Sequence, residues 1–248
     1  EEILHEKAWG DDKGRNFNQV VGTDKFTLEV NVSKGKMVVT LNDQESFTYS
    51  GVDMERWGIF ENYFKAGNYF QSRDEGSFAY VKYYDLEVSH SQEKGKSKKS
   101  KTVLKEEVLV EEDQSPLQLA NWKLELPSGY KASDWKLSNF QNDKFAKPFF
   151  YLDSIDGALV MEAYPVKGTS KATYTRNSLR EQLEPGNSDV NWTMKEGGVL
   201  ETEFQVTEMS KDANGKYHRT ILIQIDGKTS KKLTKELGLE KAVSMPFI

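Results

Sequence analysis

The chain has 248 residues, enough for one sizeable β-sandwich, with 37% hydrophobic and 12% aromatic residues and a net charge of −5. The acid excess argues against a nucleic-acid binder, which ordinarily leans basic, and no apolar run is long enough to cross a membrane as a helix. Without cysteine there is no disulfide or thiolate chemistry, and His5, His90 and His218 are too scattered for a zinc site.

In chain order, residues 26–32 alternate apolar and polar side chains and predict a strand. Residues 36–41 follow across Ser33-Lys34-Gly35 as the second arm of a hairpin. Residues 78–88, rich in aromatic and β-branched side chains, predict another strand. Further strands are expected at 122–126, 158–164, 174–183, 199–206 and 217–226. Helical patterning is confined to a short turn at 52–57 and an amphipathic stretch at 231–241. Many strands with little helix predict an all-β fold, two antiparallel sheets packed as a sandwich. Residues 91–101 are small and basic, the composition of a solvated linker; a basic patch that captures a polyanion is the sharper alternative. Residues 102–113 fit a strand that covers a sheet edge.

Three stretches carry candidate chemistry. In Tyr63-Phe-Lys-Ala-Gly-Asn-Tyr-Phe-Gln71, a strand would place Tyr63, Lys65, Gly67, Tyr69 and Gln71 on one face, with the glycine leaving room for a ligand. In Tyr174-Thr-Arg-Asn-Ser-Leu-Arg-Glu-Gln-Leu183, the residues Arg176, Ser178, Arg180 and Gln182 share a face. Two guanidinium groups so spaced suit a carboxylate, which each can grip with a two-pronged fork. In His218-Arg-Thr-Ile-Leu-Ile-Gln-Ile-Asp-Gly227, period two sends Ile221, Ile223 and Ile225 one way and Thr220, Leu222, Gln224 and Asp226 the other. Each stretch alone is equally readable as the solvated face of an ordinary strand.

Together the three resemble polysaccharide lyase family 7, the alginate lyases. That family carries Arg-(Ser/Thr)-Glu-(Leu/Val)-Arg, Gln-(Ile/Val)-His and Tyr-Phe-Lys-Ala-Gly-x-Tyr-x-Gln strands, and residues 63–71 match the last in full. Trp57-Gly-Ile-Phe-Glu-Asn62 and the strand up to Val88 look like the family's C-terminal half, and Trp122-Lys-Leu-Glu-Leu-Pro127 looks like its opening strand. Three departures stand out. The halves are inverted, as in a circular permutant: the family's C-terminal half is at 1–90, a linker at about 91–115 and the N-terminal half at 116–248, all expected to form one domain. Ser178 replaces the glutamate of the arginine motif, and Asp226 replaces the histidine.

The resemblance implies a jelly roll that cuts the 4-O-glycosidic bond of alginate, an anionic polysaccharide, by β-elimination. It implies no metal or organic cofactor, no nucleic-acid or membrane partner, a secreted or periplasmic location and a monomer. By resemblance, the catalytic set is Tyr69, Gln224, Arg176 and Asp226, and the substrate-binding set is Arg180, Lys65, Tyr63, Gln71 and Ser178. Arg176, Arg180 and Gln224 would offset the uronate carboxylate as charge develops. Tyr69 would donate a proton to the departing O4 and, as phenolate, take the C5 proton. The exchange at Asp226 leaves a second expectation open, an alginate-binding jelly roll that has lost catalysis. A purely structural sandwich would leave the complete match at 63–71 unexplained. With a carboxylate in place of the histidine, mannuronate-rich blocks are expected to be cut faster than guluronate-rich ones, although Ile225 matches the motif version that goes with guluronate.

Overall fold

The computed structural model describes residues 5–6, 15–16, 22–50, 59–90, 117, 119–126, 148–165 and 176–229. The readings at 52–57, 91–101, 102–113 and 231–241, and the first two residues of 174–183, lie outside these. Among the described residues there are thirteen strands and one 3-10 turn, Leu119–Asn121.

The first hairpin forms as its sequence dictates. β3 (Phe26–Ser33) buries Phe26, Leu28, Val30 and Val32 and leaves Thr27, Glu29 and Asn31 between them half-buried. Lys34 and Gly35 both take positive φ, 49° and 73°, the two-residue turn whose twist suits a hairpin. β4 (Lys36–Leu41) then returns with Met37, Val39 and Leu41 inward. A second turn, with Asn42 and Asp43 at φ 51° and 54°, leads to β5 (Glu45–Ser50), a strand that the pattern reading lacks. Asn and Asp tolerate this left-handed backbone better than most residues.

Of the other strands, β6 is Ile59–Phe70, β7 Ala79–Ser89, β8 Trp122–Glu125, β9 Phe150–Leu152 and β10 Leu159–Ala163. β11 is Arg176–Glu181, β12 Gly198–Met209 and β13 Thr220–Thr229, while β1 (His5–Glu6) and β2 (Arg15–Asn16) form a small ladder of their own. The rest make two antiparallel sheets, one of seven strands in the order β5-β4-β3-β12-β7-β10-β9 and one of four in the order β13-β6-β11-β8. This is the all-β sandwich expected, with jelly-roll character. The inner faces share one apolar cluster that includes Phe64, Tyr83, Leu179, Phe204 and Ile223. Strands from before residue 91 and after residue 116 interleave in both sheets: β12 separates β3 from β7, and β6 lies between β13 and β11.

Candidate active site on the four-stranded sheet

β6 is the spine of the site. Asn62, Phe64, Ala66, Asn68 and Phe70 are all at 0% exposure, so the alternation sends Tyr63, Lys65, Gly67 and Tyr69 to the opposite face. The buried Asn68 amide donates to the carbonyls of Ala79 and Met161 at 2.8 and 2.9 Å. It thereby fixes β6 to the seven-stranded sheet. Gln71 lies just past the strand; its backbone N–H still donates to Arg219 O, and its amide turns back to Tyr69 O at 3.4 Å.

The register brings the other motifs alongside. On β11, Arg176 is opposite Tyr69, Ser178 opposite Gly67 and Arg180 opposite Lys65. On β13, Gln224 is opposite Lys65 and Asp226 opposite Tyr63. On the far side of β11, β8 places Glu125 opposite Ser178 and Lys123 opposite Arg180. The structure thus gathers Tyr63, Lys65, Tyr69, Arg176, Ser178, Arg180, Gln224 and Asp226 on one face.

Two expectations need correction. Ile221 pairs with Tyr69 but Ile223 pairs with Ala66, a register shift that sets Leu222 against both Gly67 and Asn68. This bulge breaks period two. Ile221 shares the face of Tyr69, while Ile223 and Ile225 are buried in the core. Leu222 is buried there too, and Thr220 bonds to Asn68 Oδ1 at 2.6 Å, so neither joins Gln224 and Asp226. The second correction concerns Gly67. A Cβ there would stand 2.5 Å from Asn177 O and 2.7 Å from Ser178 Cβ. The glycine admits the neighbouring strand, not a ligand. Beneath it, the buried Tyr83 hydroxyl sits 2.8 Å from Gly67 O and 3.0 Å from Leu222 O, donating to one at a time and tying the bulge to the opposite sheet.

The face is unlike a solvated strand surface. Lys65, Ser178, Arg180 and Gln224 are only 3–7% exposed. Lys65 Nζ lies 2.9 Å from Glu125 Oε2 and 3.2 Å from Asp226 Oδ2. Burial pushes the Lys65 ammonium down, but the two carboxylates outweigh it and hold the group above its ordinary value. Glu125 is the converse: burial pushes it up, and Lys65, Arg176 and Arg180 bring it below its ordinary value. Tyr63 is pushed up by its own burial and by Asp226, against Lys65 and Arg180. The Arg180 guanidinium lies 3.9 Å over the Tyr63 ring and donates to Ser188 O and Asn191 Oδ1, both at 3.0 Å. Gln182 is engaged by the same loop, through Ser188 Oγ and Gly186 N–H.

Several polar groups remain uncommitted. Among the described residues, Arg180 Nε and Ser178 Oγ are buried without a hydrogen-bond partner, which is uncommon enough in folded proteins to call for an explanation. Arg176 is exposed, lies 5.9 Å from the Tyr69 ring and makes no ion pair among the described residues. These donors, on one face with a phenol, are equipped to receive a carboxylate.

A family model described as alginate lyase matches residues 2–90 and 117–240. The chain belongs to the alginate lyase family. No curated protein and no solved structure matches it. The stretch between the two matched segments, 91–116, contains the linker-like residues. Both departures from the alginate lyase motifs fall around one group: Asp226 pairs with Lys65, and Ser178 stands opposite Glu125, its other partner. Sequence reading passed over Glu125 and the loop residues Ser188 and Asn191. Glu125 did carry a signal, since Lys123 and Glu125 alternate with the buried Trp122 and Leu124 and must face the same way as Ser178.

Proposed function

We propose that the protein is an active alginate lyase that cleaves the 4-O-glycosidic bond by β-elimination. The supporting observation is the pairing of Tyr69 with Arg176 on a face that also carries Gln224 and two orphaned buried polar atoms. The C5 proton of a uronate is poorly acidic while its carboxylate is charged. Arg176, Gln224 and Arg180 Nε are suited to neutralise that carboxylate as electron density moves onto it. The Tyr69 phenolate takes the C5 proton, the C–H electrons form a C4–C5 double bond and the C4–O4 bond breaks. O4 departs with the proton returned by the Tyr69 hydroxyl. Tyr63, Ser178 and Lys65 line the path of the chain, with Gln71 at its end. Mannuronate suits this arrangement because its C5 hydrogen and O4 lie on one side of the ring, within reach of one residue. Guluronate needs a base on the other side, where Asp226 is held in an ion pair with Lys65.

We further propose that the halves are circularly permuted, in an exported monomer. Interleaved strands support a single domain. In support of the permuted order, the last residue of the first matched segment and the first strand of the second meet at one residue: His90 Nε2 is 2.5 Å from Glu181 Oε1, and Glu181 is opposite Trp122.

The alternative, a binding protein without catalysis, is favoured by one observation, the engagement of Asp226 with Lys65. Ultraviolet absorbance of the unsaturated uronate separates the two. Wild type should generate it from alginate, and Tyr69→Phe should lose nearly all of it while binding alginate as before. A fully active Tyr69→Phe variant removes Tyr69 from the mechanism, and an inactive wild type that binds alginate selects the alternative.

A further inference from the structure

Glu125 belongs to none of the three motifs, yet its carboxylate is one of two that hold the buried Lys65 ammonium. The reach is unusual. Glu125 stands on β8 and Lys65 on β6, with β11 between them. Direct neighbours across strands lie about 5 Å apart, so this contact skips a strand. The row that Glu125 occupies explains how. Its cross-strand partner is Ser178, and beyond that is Gly67. Neither offers a side chain larger than a hydroxymethyl group, so the Glu125 side chain can lie across β11 and meet Lys65 diagonally. Among the described residues, Ser178 Oγ has no hydrogen-bond partner.

The charges around this contact form a set. Lys65, Arg176 and Arg180 are the cations; Glu125 and Asp226 are the carboxylates, and both guanidinium groups act on Glu125. With Lys123 exposed on the same face, cations outnumber carboxylates there, a surplus that favours an incoming uronate carboxylate. A buried lysine between two acids is held in position from both sides, and losing either acid leaves it free to follow the other.

The geometry points to Glu125 as a positioning residue for the polyuronate substrate. It pins the Lys65 ammonium, and through Lys65 holds the Asp226 carboxylate away from the path of the incoming uronate, leaving Arg176 and Gln224 to receive it. This rests on the elimination reading above.

The test uses E125Q, E125D and E125A/S178E, each checked by thermal melting, with steady-state kinetics on polymannuronate and calorimetric binding of a mannuronate oligosaccharide. E125Q adds one net positive charge and unpins Lys65. Its KM should fall about threefold through stronger attraction, while kcat falls about tenfold through misplacement. A merely structural loss would not lower both. E125D should retain most of kcat, and E125A/S178E, which moves the carboxylate one strand across in the same row, should recover part of it. E125Q with wild-type kcat and KM overturns the proposal while leaving the elimination reading intact. So does a kcat loss that only follows the folded fraction. If wild type binds but makes no product, the elimination reading falls and binding decides for Glu125: E125Q must bind the oligosaccharide more tightly, and unchanged or weaker binding overturns the proposal. If wild type neither cleaves nor binds, both fall.

Discussion

Gly67→Ala tests the construction of the site at its tightest point. The new Cβ would meet Asn177 O at 2.5 Å, Ser178 Cβ at 2.7 Å and Ser178 Cα at 2.8 Å. Ordinary contact begins near 3.4 Å, so something must retreat by roughly 1 Å. β6 cannot readily do so. Gly67 O is within bonding reach of the buried Tyr83 hydroxyl, and the next side chain, Asn68, bonds to two carbonyls of the opposite sheet. The movement therefore falls on β11, whose obstructing atoms are largely backbone. Overpacking of this kind costs about 1–3 kcal/mol, and the rigid neighbours argue for the upper part of that range. For a chain of this length that is a fall of about 5–10 °C in Tm. Activity should suffer more than stability. Arg176 and Arg180 flank the displaced residues, and a misplacement of about 1 Å can cost roughly a hundredfold in rate. Thermal melting by circular dichroism and initial rates of unsaturated uronate formation check the two parts separately. A Gly67→Ala protein with unchanged Tm and full activity would refute the close approach of β6 and β11.

Two further outcomes are expected. His90 presents Nε2 to Glu181 Oε1 at 2.5 Å and Nδ1 to Gly197 O at 2.8 Å, two acceptors that the protonated ring satisfies together. Burial pushes the imidazole down, but the bond and charge of Glu181 with the Gly197 carbonyl hold it above its ordinary value. Its stabilisation is then fully present below the unfolded value of about 6.5 and lost as pH rises through the higher folded value. The stability advantage of wild type over His90→Gln, read by thermal melting at a series of pH values, should accordingly be greatest in mild acid, on the order of 1 kcal/mol for this half-buried pair, and shrink in alkali; an advantage that grows with pH contradicts the pairing. On purified block polymers, initial rates should favour mannuronate, whereas faster guluronate cleavage would mean that Asp226, or another residue, serves as the second base.

The legible parts of the fold were those in which one strand carries its own pattern. β3 and β4 could be read from four and three buried apolar side chains at period two with a Lys34-Gly35 turn between them. β5, by contrast, offers only Phe47 and Tyr49 among Ser, Thr and Glu. Its clearest cue lay before it, in the left-handed Asn42 and Asp43. The face of β13 could not be read from its own residues. Alternation groups Ile221 with Ile223 and Ile225, and it is the partner strand, with Gly67 and Asn68 both set against Leu222, that turns Ile221 to the other side. Glu125 escaped for the same reason: its importance comes from a diagonal contact across β11, which the pattern of β8 does not contain.

The site is completed only when both parts of the chain have folded together. β6, with Tyr69 and Lys65, comes from before residue 91; β8, β11 and β13, with Glu125, the two arginines, Gln224 and Asp226, come from after residue 116. Neither part can bury its own polar residues. Without residues 59–90 the core-side carboxylate of Glu181 loses the Phe64 N–H at 2.8 Å and the His90 ring, keeping Trp192 Nε1–H at 3.0 Å. Without β11 and β13 the Lys65 ammonium loses Asp226 and the strand over which Glu125 reaches it. Buried charges left in that state cost several kcal/mol, so a half-formed sandwich is disfavoured beyond its loss of apolar contact. The electrostatic set that suits a uronate thus also opposes separation of the two parts, and a change that weakens it, such as one at Glu125 or Lys65, should loosen their association as well as alter substrate handling.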